Sequence, residues 1–269
     1  MLSALAVDGR AGSHLRGLLR YRELVRNFVI RDLKARYKNS FLGFVWSLAN
    51  PLLMMLVFTV VFTALIPNDI PQYPVFILAG LLAWNWCTAS VTGGVYSITA
   101  NAHLINKVAF PRELLPLSVV LSNGVNFVLA LIPLFVLAWV HGRPPSPYLL
   151  LLPVAMVVQL IFLTGLALFL GALNVYFRDT ESIIDVVVLA WFFLTPVIYD
   201  VTSLSQQYSR LIYILNPMAS FISLYRLIFY HQAPTDPAFL ARMTAQALLV
   251  FALGYAFFLW RAPDFGEEV

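Results

Sequence analysis

Leu114 to Val140 reads LLPLSVVLSNGVNFVLALIPLFVLAWV, a run without a single Asp, Glu, Lys or Arg. Wound as an α-helix at 1.5 Å per residue it reaches about 40 Å, more than the roughly 30 Å of hydrocarbon in a bilayer. Comparable charge-free runs lie between Lys38 and Asp69 and between Asp69 and Lys107. The chain as a whole is 61% hydrophobic and 11% charged, against roughly 25% charged in a soluble domain. Backbone polar groups in hydrocarbon must be satisfied within the segment, so these runs are expected as helices. A barrel strand facing lipid would alternate in polarity, and these runs do not.

The fold class that follows is all-α: a polytopic membrane protein of one domain over residues 1–269. Spans are expected at about 45–66, 75–99, 114–140, 148–173, 183–199 and 238–260, six transmembrane helices bounded by breaking sequences. The first break, PNDIPQYP at 67–74, and a later one, HGRPPSP at 141–147, are too rich in proline to be helical. The stretch 200–237 is ambiguous. Residues 211–230 are apolar enough to enter the membrane, yet they contain Asn216-Pro217 and Arg226, so the stretch fits a seventh span or a re-entrant hairpin.

Charge sets the expected orientation, because Arg and Lys near span ends stay on the cytoplasmic side. Residues 15–38 read as a basic amphipathic helix at the membrane interface. Arg16, Arg20, Glu23, Asn27, Arg31, Lys34 and Lys38 form one stripe, with Leu18, Tyr21, Val25, Phe28 and Val29 opposite. Arg22, Asp32 and Arg36 intrude on that apolar face, and an Asp32/Arg36 pair at four-residue spacing would accommodate two of them. Six spans with both termini cytoplasmic put thirteen of the 17 Lys and Arg residues inside. The net charge of +4 is thereby accounted for by topology and anionic membrane lipid, without nucleic acid. Cys87 is the only cysteine, which excludes an intrachain disulfide and a cysteine zinc cluster. Residues 1–14 lack the apolar core of a cleavable signal, so targeting is expected from the spans.

No glycine-rich phosphate loop followed by Lys-Ser or Lys-Thr occurs, and neither His-Glu-x-x-His nor Gly-x-Ser-x-Gly is present. No cofactor is expected on this chain, and no metal either, since the four histidines are scattered over different connections and tails. Asp185 is the carboxylate nearest a span interior, at the expected cytoplasmic end of span five, where solvation accounts for it. A membrane enzyme would gather carboxylates or nucleophiles inside its spans. The chain is therefore expected to perform no bond chemistry.

The best-defined patterns sit at the span boundaries. RYKNSFLGFVW at 36–46 with Asn50-Pro51, LINKVAFPRELLP at 104–116, NVYFRD at 174–179, LTPVIY at 194–199, and LNP at 215–217 with Tyr225-Arg226 occur in that order. Together they resemble the permease subunits of polysaccharide-exporting ABC transporters, which move O-antigen, capsule and teichoic acid chains. The resemblance implies a re-entrant segment before the last span and a homodimer in the bacterial cytoplasmic (inner) membrane. It also implies two copies of an ABC ATPase that bind ATP and magnesium, and a lipid-linked polysaccharide as substrate. Two related activities, export of a small drug or lipid and membrane synthesis of lipid-linked glycan, fit the class less well. The family motifs argue against the first, and the lack of clustered intramembrane Asp, Glu or His against the second.

By resemblance, the connection at 101–113 is an ATPase-coupling loop offering Asn106, Lys107, Arg112 and Glu113 to the partner, with Pro111 and Pro116 stiffening the entry to span three. Its plainer reading is an ordinary connection with basic anchors. Arg36, Tyr37 and Lys38 stand at the entry to span one, placed for the pyrophosphate of a lipid-linked chain or, equally, for anionic phospholipid. Trp46, Phe58, Trp191, Phe192 and Tyr199 are translocation-path candidates, although Trp and Tyr gather at membrane interfaces in any case. Gly93-Gly94, Gly124, Gly165, Gly171 and Gly254 are expected where helices approach closely.

Overall fold

A computed structural model of the chain describes residues 21–37, 45–66, 69–107, 110–201 and 206–268. Within them the side chains of Tyr37, Ser47, Asn106, Gln206, Ser209 and Glu267 are not described. No strand occurs among the described residues. The helices are α1 (Arg22–Tyr37), α2 (Val45–Val60), α3 (Tyr73–Tyr96), α4 (Ala102–Lys107), α5 (Leu114–Val140), α6 (Leu152–Tyr176), α7 (Thr180–Leu194), α8 (Gln206–Leu215), α9 (Pro217–Arg226), α10 (Pro237–Arg261) and α11 (Phe265–Glu268). Wide π-helical turns prolong α2 through Val61–Leu65 and α9 through Leu227–His231, and a 3-10 turn at Pro147–Leu151 leads into α6.

Among the described residues five helices are long and apolar enough to cross a membrane: Leu48–Leu65, Tyr73–Tyr96, Leu114–Val140, Pro147–Tyr176 and Pro237–Asp264. They follow the spans expected at 45–66, 75–99, 114–140, 148–173 and 238–260. The span expected at 183–199 takes another form. Its helix, α7, has 15 residues, about 22 Å at 1.5 Å per residue, and beyond Leu194 the chain turns instead of continuing.

Helix α3 is the axis of the molecule, 78% of its most apolar window being buried. It packs against α2, α5, α6, α7 and α9, while α6 pairs with α10 along much of its length. Small residues allow that closeness. A methyl on Gly94 would lie 2.7 Å from the Ala167 Cβ, and one on Gly165 would lie 2.5 Å from the Phe251 Cα, so neither position tolerates a side chain without the helices moving apart. Cys87, on α3, is 1% exposed.

Sequence-local caps start the last elements. Asn216 accepts from the Met218 amide with Pro217 in the first turn of α9, and Asp236 accepts from the Ala238 amide with Pro237 in the first turn of α10. Side-chain acceptors at the N-cap and a proline behind them satisfy helix donors that have no internal partner. The π turn of α9 ends at Gln232, with φ of 51°, and α3 is entered through Gln72, with φ of 50°. Both glutamines hold the same connection: the Gln72 Nε2 donates to the His141 carbonyl, and the Gln232 Nε2 to that of Pro144. The Tyr230 hydroxyl donates to the Pro71 carbonyl, and the Arg143 guanidinium lies 4.3 Å from the Tyr230 ring. Three connections are thus tied together at the end of the bundle remote from α1.

Helix α1 lies across the opposite end, packed on the first turns of α5. Phe28 is 8% exposed and belongs to a second apolar cluster with Ile105, Leu114, Leu115, Phe258 and Phe265. The basic stripe is only partly described, because Arg16, Arg20 and Lys38 lie outside the described residues. Asp32 pairs with Arg31 at 2.9 Å, not with Arg36 as the four-residue spacing suggests. Arg31 is fixed over the Phe28 ring at 5.0 Å and donates to Asn101 Oδ1, which leaves its guanidinium beside Asp32.

Candidate functional site

Two features come together around α2, α3 and α7: a run of aromatic rings and an apolar flank without a neighbour among the described residues. Trp84 on α3 meets Trp191 and Phe192 of α7 at 5.5 and 5.6 Å between ring centroids. Phe192 reaches Phe58 of α2 at 6.2 Å, Phe58 stacks on Phe62 at 6.4 Å, and Phe62 lies 5.8 Å from Tyr73. Tilted and edge contacts of this kind hold rings in fixed orientations. Beside the run, Leu53, Leu56, Val57 and Val60 of α2 and Val186, Leu189 and Phe193 of α7 are exposed.

Of the path candidates, Phe58, Trp191 and Phe192 thus lie in one run. Trp46 and Tyr199 stand elsewhere. Trp46, 50% exposed, lines a cavity of about 470 Å³ between α2, α3 and α5, together with Arg36 of α1. Tyr199 lies in the turn after α7, where its carbonyl accepts from Arg226. Trp84 links the run and was not among the expected residues. Its signal is faint in sequence, since the run LLAWNWC offers no way to tell which tryptophan faces which helix. Tyr37 is the last residue of α1 with its side chain undescribed, and Lys38 lies outside the described residues.

Arg226 organises the turn that ends α7. It is 3% exposed, and its guanidinium donates to the carbonyls of Pro196 at 2.7 Å, Val197 at 2.6 Å, and Tyr199 and Phe76 at 3.3 Å. The guanidinium carbon also lies 3.5 Å from the Phe76 ring centroid, a cation over an aromatic face. Gly80 makes room for it, because a methyl there would sit 3.1 Å from the Arg226 Nη2. One helical stretch earlier, Asn216 accepts from the Trp191 indole at 2.9 Å and donates to Thr195 Oγ1 at 2.8 Å. Helices α8 and α9 fold back on each other at Asn216, with the Tyr213 hydroxyl and Ser223 Oγ 3.0 Å apart. The two polar side chains therefore clamp a helical hairpin against α7 and α3.

The 101–113 connection contains the short helix α4, which ends at Lys107. Lys107 is exposed, and Asn106 lies on the same helix with its side chain undescribed. Arg112 and Glu113 do not project as the sequence reading expects. Arg112 donates to the Ala262 carbonyl and faces the Phe265 ring at 5.9 Å, and Glu113 is 8% exposed. The cause is tertiary: α11 packs on α4 and brings fully buried Phe265 into the same apolar cluster as Ile105 and Leu114. Of the four residues expected there, Lys107 is the exposed one among those whose side chains are described.

Comparison with known proteins places these features in context. Residues 23–230 match the family model described as ABC-2 type transporter. A protein of Myxococcus xanthus named O-antigen export system permease protein RfbA is 40% identical over 257 residues, 95% of this chain and 98% of that protein. A Klebsiella pneumoniae protein of the same name is 36% identical over 74% of this chain and 77% of its own length. The Escherichia coli polysialic acid transport protein KpsM is 21% identical over 75% of this chain and 79% of its own.

Proposed function

The chain belongs to the ABC-2 type transporter family, and on that premise we propose that it is the transmembrane subunit of an ATP-driven exporter of lipid-linked polysaccharide. The near full-length likeness to the Myxococcus permease carries the reading. The aromatic run from Trp191 through Trp84 and Phe192 to Phe58 adds a physical reason. A sugar polymer presents apolar ring faces between its hydroxyls, and a row of aromatic rings lets it slide without a deep binding minimum.

In this reading the α1 end is cytoplasmic, the membrane is the bacterial inner membrane, and the α8–α9 hairpin is a re-entrant segment between α7 and the last span. Two copies pair through the bare flanks of α2 and α7, as a closed symmetric oligomer does, and enclose the path between them. Two copies of a partner ATPase bind ATP and magnesium, close, and push on α4 through a contact that includes Lys107. Arg112 acts from behind, tying α4 and α5 to the end of α10. Arg36 at the entry to α2 receives the phosphate-bearing end of the lipid-linked chain.

ATP hydrolysis by the chain co-purified with its ATPase in lipid nanodiscs, with and without purified lipid-linked polysaccharide, tests this. A polymer-dependent change in turnover is expected, and a Lys107→Glu variant should lose most of that response while melting at the wild-type temperature. Arg112→Glu should instead lower the melting temperature, because it puts a carboxylate against the Ala262 carbonyl. If no ATPase associates with the chain, the exporter reading fails.

A further inference from the structure

The cavity of about 470 Å³ between α2, α3 and α5 is lined by amides where a membrane bundle ordinarily presents alkyl groups. Asn50 comes from α2, Asn85 and Thr88 from α3, and Asn123 and Asn126 from α5. Asn123 is 2% exposed; its Nδ2 donates to the Val119 carbonyl at 3.0 Å. Its Oδ1, and Thr88 Oγ1 nearby, are buried and have no hydrogen-bond partner among the described residues. A buried amide oxygen without a donor is costly, and a donor brought to it is favoured.

The lining also says what kind of molecule supplies it. Among the described residues no Asp or Glu lines the cavity, and Arg36 at its rim is the one charged residue of the lining. Neutral amides, each with donors and acceptors, match hydroxyl groups, which also do both. Two tryptophans complete the wall. Trp86 is held rigid by stacking on Phe127 at 4.9 Å and by its Nε1 donating to the Val120 carbonyl, whereas Trp46 is half exposed. The volume falls among ordinary small-molecule sites.

Trp84 and Trp86 are two residues apart on α3 and therefore point about 200° away from each other. The amide cavity and the aromatic run consequently lie on opposite faces of α3. We propose that the amide cavity binds a neutral sugar ring of the exported chain, as a second site apart from the aromatic path. This rests on the exporter reading and adds to it a place where sugar hydroxyls are recognised one by one.

The test titrates the chain, co-purified with its ATPase in phosphatidylcholine nanodiscs, with polysaccharide released by mild acid from the source cells and so free of lipid pyrophosphate. Tryptophan fluorescence is the readout. A saturable change is expected, with reduced amplitude in Trp46→Phe and a midpoint weakened about tenfold in Asn85→Leu and in Asn123→Leu. Tyr208→Leu, exposed on α8, should titrate as wild type. Asn85 is exposed on the cavity wall, so its replacement keeps the packing, and a melting curve checks each variant.

Displacement of the signal by inorganic pyrophosphate or by phosphatidylglycerol in the disc would make this an anion site and overturn the proposal. Wild-type midpoints in both asparagine variants would overturn it as well. If released polysaccharide gives no change while the lipid-linked form still alters ATP hydrolysis, the cavity proposal falls and the exporter reading stands. If neither has an effect, both fall.

Discussion

The Arg226 and Asn216 side chains are themselves fully engaged: four carbonyls meet the guanidinium, and the Asn216 amide serves Trp191, Thr195 and Met218. In the wall of the cavity nearer α1 the opposite holds, since Asn123 Oδ1 and Thr88 Oγ1 are buried without a partner among the described residues. Both regions lie in a chain whose surroundings punish unpaired polar atoms. The first uses polarity to fix a shape, and the second keeps it in reserve. Substituting a polar side chain should therefore cost much in the first region and little in the second.

The largest effect is expected at Arg226. Arg226→Met strips four carbonyls of their donor inside the protein, at a cost of about 3–5 kcal/mol, read as a sharply lower melting temperature in detergent. Arg226→Lys should recover only a minor part, because a compact ammonium does not span carbonyls that a planar fork reaches together. Asn216→Ala comes next, at about 1–3 kcal/mol, from a lost helix cap and an orphaned Trp191 indole. The smallest effect is expected at Asn123. Asn123→Leu removes a bare amide oxygen as well as one bond to Val119, so stability should change by less than about 1 kcal/mol. A loss at Asn123 as large as that at Arg226 would erase the distinction between the two regions.

The long helices are legible in the sequence to within a few residues because length and apolarity are local properties. Leu114–Val140 agrees at both ends, whereas Asn216-Pro217, read in the sequence as an interruption of an apolar stretch, caps the helix that follows it. What ends α7 at Leu194 is local, since Pro196 takes Thr195 out of the helical region. What is not local is the partner of the turn that follows: the carbonyls of Pro196, Val197 and Tyr199 are taken up by the Arg226 guanidinium, and no window around 183–199 contains that fact. The same holds at 101–113, where Arg112 is drawn inward by Phe265, about 150 residues further along the chain. Of the aromatic candidates, Phe58, Trp191 and Phe192 converge through Trp84, whose facing depends on helix rotation. The amides of the cavity carry a sequence signal, Asn85 between two tryptophans and Asn123 three residues before Asn126, but only packing brings them to one wall.

Cys87 sits 1% exposed in the middle of α3, and no second thiol accompanies it in the chain. A maleimide dissolved in water will therefore leave the native protein unlabelled, so an engineered cysteine reports alone. Lys107→Cys, Arg210→Cys and Pro263→Cys, all at exposed positions, can be probed from either side of sealed vesicles without first removing the natural residue. The tight packing that hides one sulfur atom thus makes the chain its own reference for mapping which side of the membrane each connection occupies.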